Sequence, residues 1–328
     1  MAAGPRADTR TKGGSVLALS GGIGGAKLVL GLYRVLAPHR LTVVANTGDD
    51  FEHLGLHVSP DLDTVMYTLA GVADRDTGWG RADETWSFMR ALENLGGETW
   101  FRLGDGDLAT HVERSRRLAA GRSLSEITAD FCARLGIAAG LLPMSDDPVR
   151  TLVHTREGVL PFQQYFVARR CEPVVTAIAF DGAATARPNP AFLDALADPA
   201  LAAVVICPSN PFLSIDPILA LPGVRAALAA CRAPLVAVSP IVGGRAIKGP
   251  TAKIMGELAM PATAAAVAGY YGALLDGFVV DEADAGDAAR LELPVSVTRT
   301  LMASLDDRDG LARQVLALAE RIRAAAED

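Results

Sequence analysis

The apolar pattern changes period twice before residue 46. Val16 to Leu19 is a continuous apolar run of the kind that a strand buried on both faces carries, whereas Leu28, Val29, Leu32 and Leu36 recur at helical spacing. The pattern predicts a strand over 15–19, a helix over 26–36 and a second strand over 41–45, with the glycine-rich turn SGGIGGAK between the first strand and the helix. Strand, turn, helix and strand in that order are most economically a right-handed parallel β-α-β unit. SPDLDTVMYTLAG opens a further helix, with Ser59 as N-cap and Pro60 at the first helical position. Asp61 and Asp63 then fall at its positive dipole end.

From 82 to 140 the strand signals stop, and ADETWSFMRALENLG, LATHVERSRRLAAG and SLSEITADFCARLG read as three helices, the last with a capping box from Ser123 to Glu126. VRTLVHT and FQQYFVARR alternate in polarity and predict an antiparallel pair beside the core. LAAVVICPSNPFLSIDPILAL and APLVAVSPIVGGRAIKGPTAKIMGEL each run from an apolar strand through a Ser/Pro/Gly turn into a helix, and DGFVVDEADAG adds a strand. The expected fold is therefore α/β, a doubly wound, mostly parallel sheet with its ligand crevice at the carboxyl edge. Its core takes in about 15–81 and 141–328, a helical subdomain is inserted over about 82–140, and residues 1–14 form a disordered tail. The uncharged stretch Leu258–Leu275 is rich in Ala and Gly and is expected to be a buried helix starting near Pro261 rather than a membrane span.

Composition narrows the function. The chain has 328 residues and a net charge of -7, which argues against a surface built for nucleic acid. No apolar leader precedes residue 15. Cys132, Cys171, Cys207 and Cys231 are far apart and lack zinc spacing, so reduced thiols in a cytoplasmic protein are expected. A homodimer is the base-rate expectation.

SGGIGGAK fails both familiar phosphate-loop tests. Counting from Gly22, Lys27 occupies the third glycine's place in a dinucleotide fingerprint, and Ala26 and Leu28 flank the lysine where a Walker loop needs Gly and Ser/Thr. What remains is close backbone approach, free N–H groups at a helix start and the charge of Lys27. Asp49, Asp50, Glu52, Asp61 and Asp63 follow within a short span. Such oxygen density suits Mg²⁺ bridging to phosphate. Equally, it suits N-caps and solvated loop charges. Arg102, Asp105, Asp107 and His111 surround a helix start, which one aspartate could cap. No serine elbow, zinc helix or Cys/His pair marks a nucleophile.

Seven motifs in order, SGGIGGAKLVLGL, VVANTGDD, SPDLDTV, LGDGDLATH, LLPMSDDPV, CPSNPFLSIDPIL and VSPIVGGRAIKGPTAK, resemble the 2-phospho-L-lactate transferase family of coenzyme F420 biosynthesis from about Val16 to Phe278. The resemblance implies a Rossmann-like core and a Mg²⁺-dependent transfer. A phospho-acid would pass from its guanosine diphosphate-linked donor to the ribityl hydroxyl of the deazaflavin Fo, releasing GMP. It implies Asp63 and Arg102 as Fo contacts, with Arg102 standing where the family has lysine. Asp49 and Asp50 become the catalytic acidic pair and, with Asp61, the Mg²⁺ candidates. Gly21, Gly22, Gly24, Gly25, Lys27, Ser209, Asn210, Ser239, Gly243 and Gly244 fall on the guanosine diphosphate side, and Ile23 replaces the family's threonine. The partners so implied are Fo and a guanylylated acid, with phospholactate, phosphoenolpyruvate and phosphoglycerate undistinguished. A related non-catalytic group that binds UDP-sugars shares the glycine-rich start and is the competing reading. A nicotinamide-dependent dehydrogenase rests on fold analogy alone.

Overall fold

Apolar runs along the chain assemble into a single seven-stranded sheet. In the computed structural model, which describes residues 14–74 and 76–327, its strands are β1 Ser15–Ser20, β2 Leu41–Ala45, β3 Gly140–Pro143, β4 Leu201–Ile206, β5 Leu235–Val238, β6 Gly277–Val280 and β7 Val295–Val297. They lie in the order β7-β6-β5-β4-β1-β2-β3, and every neighbouring pair is parallel. The chain winds outward from β1 in one direction to β3 and from β4 in the other to β7. The crevice beyond the carboxyl ends of β1 and β4 is thus the switch point where α/β sheets bind ligands. The expected tail lies outside the described residues except for Gly14, whose carbonyl accepts a hydrogen bond from Arg40 Nε at 3.0 Å.

The sheet is covered on both faces. Leu17 and Leu19 join Val204 and Ile206 in one core. Val16 and Ala18 point the other way, against α1 Gly22–Val35 and the C-terminal helix Leu305–Glu327. α1 starts at Gly22 rather than Ala26, so the glycines form its first turn instead of a loop. The reason is space: a Cβ on Gly24 would stand 2.5 Å from the Pro208 carbonyl oxygen, and one on Gly25 2.4 Å from Ser20 Oγ.

α2 Pro60–Ala70 follows a short hairpin, Phe51–His53 with Leu56–Val58. Ser59 sits at its N-cap position but does not cap, since its hydroxyl donates to Asp50 Oδ2 at 2.8 Å. The helices α3 Ser87–Asn94 and α4 Asp105–Ala119 cap each other: Glu84 accepts from the N–H groups of Gly106 and Asp107, and Asp105 from those of Ser87 and Phe88. α5 Leu124–Arg134 begins on the expected capping box and packs Leu124, Ile127 and Phe131 into the core on the α1 side.

A further expectation fails. Arg150–Thr155 does pair antiparallel, but with Gly158–Pro161 and Val175–Asp181. FQQYFVARR instead contains the helical turn Gln164–Ala168, because Phe162, Tyr165 and Phe166 follow i, i+3, i+4 spacing rather than alternation. The uncharged stretch does carry a helix near Pro261, Ala264–Tyr271, capped by the Thr263 side chain and continued by the turn Gly272–Leu274. No single helix among the described residues is long and apolar enough to cross a membrane. All four cysteines are free, with Cys132 and Cys207 buried.

α1 lies so close to the C-terminal helix that a Cβ on Gly31 would stand 2.2 Å from the Arg308 carbonyl oxygen. Gly31→Ala is therefore expected to lower the unfolding free energy by roughly 1–3 kcal/mol through overpacking. Gly269→Ala, in Ala264–Tyr271 with nothing within 4 Å of its Cβ, should raise it by up to about 1 kcal/mol through helix propensity. Urea unfolding checks both, and equal midpoints would contradict the close helix contact.

Candidate active site

A cavity of about 750 Å³ opens at the switch point. One wall is the start of α1. Gly21 and Ser209 bind each other reciprocally, Gly21 N–H donating to Ser209 Oγ at 3.1 Å and Ser209 Oγ to the Gly21 carbonyl at 2.8 Å. This ties the ends of β1 and β4 together. Gly22 N–H donates to Asp61 Oδ1 at 2.6 Å, so a carboxylate at the start of α2 meets the positive end of α1.

Asp61 is one of three buried carboxylates here. Asn46, just beyond β2, offers its side-chain amide to Asp49 Oδ1 at 2.8 Å, to Asp61 Oδ2 at 3.0 Å and to the Leu213 carbonyl at 3.2 Å. Its own Oδ1 accepts from Gly48 N–H at 2.7 Å, which fixes the amide's orientation. Burial, reinforced by repulsion from Asp61 and Asp50, pushes the Asp49 carboxyl well above the usual range. Burial also raises Asp61, to about 6, against the hydrogen bonds from Asn46 and Gly22. Among the described residues neither forms an ion pair with lysine or arginine. Asp50 lies outside the cavity lining. Its Oδ2 is held by Ser59 and by His57 Nε2 at 3.0 Å, while its buried Oδ1 has no partner among the described residues.

Three cations also line the cavity, Lys27 from α1 itself, Lys248 and Arg299. Lys27 Nζ donates to the Met302 carbonyl at 3.1 Å, and its pKa is lowered by burial and then by the charges of Arg308 and Lys248. An anion in the cavity would relieve that repulsion.

The far end is aromatic. Trp100 and Phe101 line it and are held from behind by the hairpin, where Phe51 packs on Phe101 at 4.8 Å and His53 on Trp100 at 5.2 Å. Arg102 also lines the cavity, with its guanidinium 4.2 Å from the centre of the Trp86 ring. Beside it Asp63 is paired through both carboxylate oxygens with Arg114, which is fully buried. His111 and Tyr67 complete this polar corner.

Of the residues expected from sequence, Asp49, Asp61, Asp63, Arg102, Gly21, Gly22, Gly24, Lys27, Ser209, Asn210 and Ser239 meet in this cavity. Gly25 does not, because it packs beneath α1 against Ser20 and Ser209. Gly243 and Gly244 do not either: at φ of +57° and +73° they form the turn between Ile241–Val242 and Arg245–Ala246, whose neighbours Val242 and Lys248 reach the cavity instead. Ser239 lines the cavity with its hydroxyl bound to Ile241. Asn210 Oδ1 accepts from the N–H groups of Phe212 and Leu213, while its buried Nδ2 has no partner. Sequence reasoning missed Asn46, Tyr67 and Arg114. Asn46 was within reach as the polar residue at a strand's carboxyl end, but nothing local marks Arg114, which looks like a surface arginine until Asp63 is folded against it.

No group of three or more His, Cys, Asp or Glu side chains among the described residues is arranged as a metal cage. A site of one or two carboxylates completed by phosphate and water needs none.

Comparison with known proteins agrees with this geometry. The sequence pattern of the family described as 2-phospho-L-lactate transferase CofD matches residues 16–308. A phosphoenolpyruvate transferase of Kitasatospora aureofaciens is 45% identical over 318 residues, covering 94% of this chain and 98% of its own. A 2-phospho-L-lactate transferase of Methanosarcina mazei is 39% identical over 304 residues, covering 92% and 99%. The crystal structure of a UPF0052 family member from Bacillus halodurans shares the fold, with a TM-score of 0.64 at 15% identity over 92% of this chain and 99% of that one. On the match to residues 16–308 and these two near full-length relatives, the chain belongs to the 2-phospho-L-lactate transferase CofD family and is a transferase.

Proposed function

We propose that the protein transfers a phospho-acid from a guanosine diphosphate-linked donor to the ribityl hydroxyl of the deazaflavin Fo, releasing GMP, in the route to coenzyme F420. The observation that carries this reading is the joining, in one cavity, of a phosphate-sized polar end and an aromatic end large enough for a flat ring system. The cavity combines the α1 N-terminus and the carboxylates Asp49 and Asp61 with Lys27, Lys248 and Arg299. Such a mixture suits a diphosphate accompanied by a cation. Of the acids in question we put phosphoenolpyruvate first, because the relative with 45% identity is named for it.

The residues present fit Mg²⁺. All the donors are oxygens, Asp49 and Asp61 are buried without a cationic partner among the described residues, and the buried Asp50 Oδ1 is unpaired. Asp49 and Asp61 would hold the ion, and Asp50 would support them from behind. When bound, Mg²⁺ supplies charge neutralisation at the transferred phosphate.

In this account the chain's own residues position and neutralise. Gly21, Gly22 and Lys27 hold the diphosphate at the end of α1, and Arg102 with the aromatic wall holds Fo. The ribityl oxygen attacks the phosphorus that bears the acid, the bond to the GMP oxygen breaks, and the hydroxyl proton passes to the Asp49 carboxylate. No covalent enzyme intermediate is needed. Of the three serines that line the cavity, Ser209 is committed to Gly21 and Ser239 to Ile241. Free thiols suit a cytoplasmic enzyme.

The direct test incubates the protein with Mg²⁺, Fo and each guanylylated acid in turn, with GMP and the Fo adduct detected by mass. The adduct should form fastest with the phosphoenolpyruvate donor, and no adduct with any donor would refute the reading. Asp49→Asn and Asp61→Asn should each slow turnover at least about tenfold, or about 1.4 kcal/mol of barrier, and raise the Mg²⁺ requirement. Wild-type turnover and Mg²⁺ dependence in both variants would remove them from the site. In thermal-shift assays GDP and Fo should stabilise the protein, whereas stabilisation by UDP-N-acetylglucosamine alone would favour the non-catalytic reading.

A further inference from the structure

Asp107 enters the cavity from the first turn of α4, beside the aromatic wall. Its Oδ1 accepts the Tyr67 hydroxyl at 2.7 Å and lies 3.3 Å from His111 Nε2. The ring's tautomer follows from its other side. Arg114 Nη1 donates to Asp63 Oδ2 at 3.0 Å and stands 3.3 Å from His111 Nδ1. A guanidinium can only donate, so Nδ1 is the acceptor and the proton of the neutral ring is on Nε2, facing Asp107. The Tyr67 hydroxyl is thus the donor on this oxygen of Asp107, while the buried Nε2 of His111 lies close to it without making a hydrogen bond among the described residues. The second oxygen accepts no hydrogen bond among the described residues, and 13% of the side chain stays exposed beside a His111 that is 2% exposed.

The other carboxylates near this end are committed. Asp63 is taken through both oxygens by Arg114. Glu84 caps α4, and Asp105 caps α3. Burial would by itself raise the Asp107 pKa, but the contacts with His111 and Tyr67 outweigh it and hold the group below the usual range. A half-dry cavity thus contains an ionised oxygen whose need for a donor is unmet.

We propose that Asp107 is a specificity-determining residue for the acceptor, its free carboxylate oxygen receiving an N–H from the polar edge of a flat heterocycle that lies along Trp100 and Phe101. The inference rests on the acceptor reading above and deepens it. A deazaflavin carries such an edge in the imide N–H of its pyrimidinedione ring, and Asp107 selects rings with that donor over rings without it. Tyr67, His111 and Arg114 act through Asp107 as positioning residues.

The test uses calorimetric or fluorescence titration of the whole protein with Fo, with Fo methylated at the imide nitrogen, and with GDP. Wild type should bind the methylated ring at least about tenfold more weakly than Fo, as expected for losing one hydrogen bond to a charged group. In Asp107→Asn the Tyr67 hydroxyl retains the amide oxygen and turns the NH₂ toward the ligand, donor against donor. That variant should lose at least about tenfold in Fo affinity, discriminate no longer between the two rings and keep its GDP affinity. Equal binding of both rings by wild type, wild-type Fo affinity in the variant, or a parallel loss of Fo and GDP would each overturn the proposal. Absence of Fo binding to wild type would instead overturn the acceptor reading, and the proposal with it.

Discussion

Everything at the polar end of the cavity depends on one amide. Asn46 holds Asp49 and Asp61 side by side, although their mutual repulsion and their burial both oppose ionisation. A side-chain NH₂ has two protons, yet three acceptors crowd it, including the Leu213 carbonyl. The arrangement is held by the surrounding fold rather than by its own energy. Asn46 stands at the end of β2, Asp61 opens α2, and Gly22 N–H at the start of α1 reaches the same Asp61. The doubly wound sheet brings these three chain ends to one point, and it is there that negative charge is concentrated.

The same cavity also holds cations. Burial first, and then the charges of Arg308 and Lys248, lower the Lys27 pKa. A diphosphate with a divalent cation has a charge pattern that suits both the carboxylates and the cations. The aromatic end has a different construction. The hairpin after β2 fixes Trp100 and Phe101, and α4 supplies a buried polar chain from Arg114 to Asp107. A parallel α/β core is thereby joined to residues that line the aromatic end of the cavity, the surface proposed above for the ring.

Much of this was legible from sequence because it is local. The strand-turn-helix alternation, the paired aspartates and the capping box at Ser123 all lie within a few residues of chain. The failures were also local in cause. FQQYFVARR was read with a period of two where Phe162, Tyr165 and Phe166 follow a helical period, and the glycines of SGGIGGAK were assigned to a loop although they relieve contacts of α1 with Pro208 and Ser20. Gly243 and Gly244, assigned to the guanosine diphosphate side by family resemblance, lie outside the cavity lining and satisfy the φ of a tight turn. What no window could show was pairing across long separations. Asp63 meets Arg114, 51 positions on, and only that contact reveals that Asp63 is committed and that Asp107 is not.

On the proposed reading, the carboxylates at the α1 N-terminus form a cation-dependent phosphate site. Calorimetric titration of the protein with GDP, with and without Mg²⁺, probes this site. Binding should be at least about tenfold tighter with Mg²⁺, equivalent to about 1.4 kcal/mol. Equal GDP affinity in the presence and absence of Mg²⁺ would contradict it.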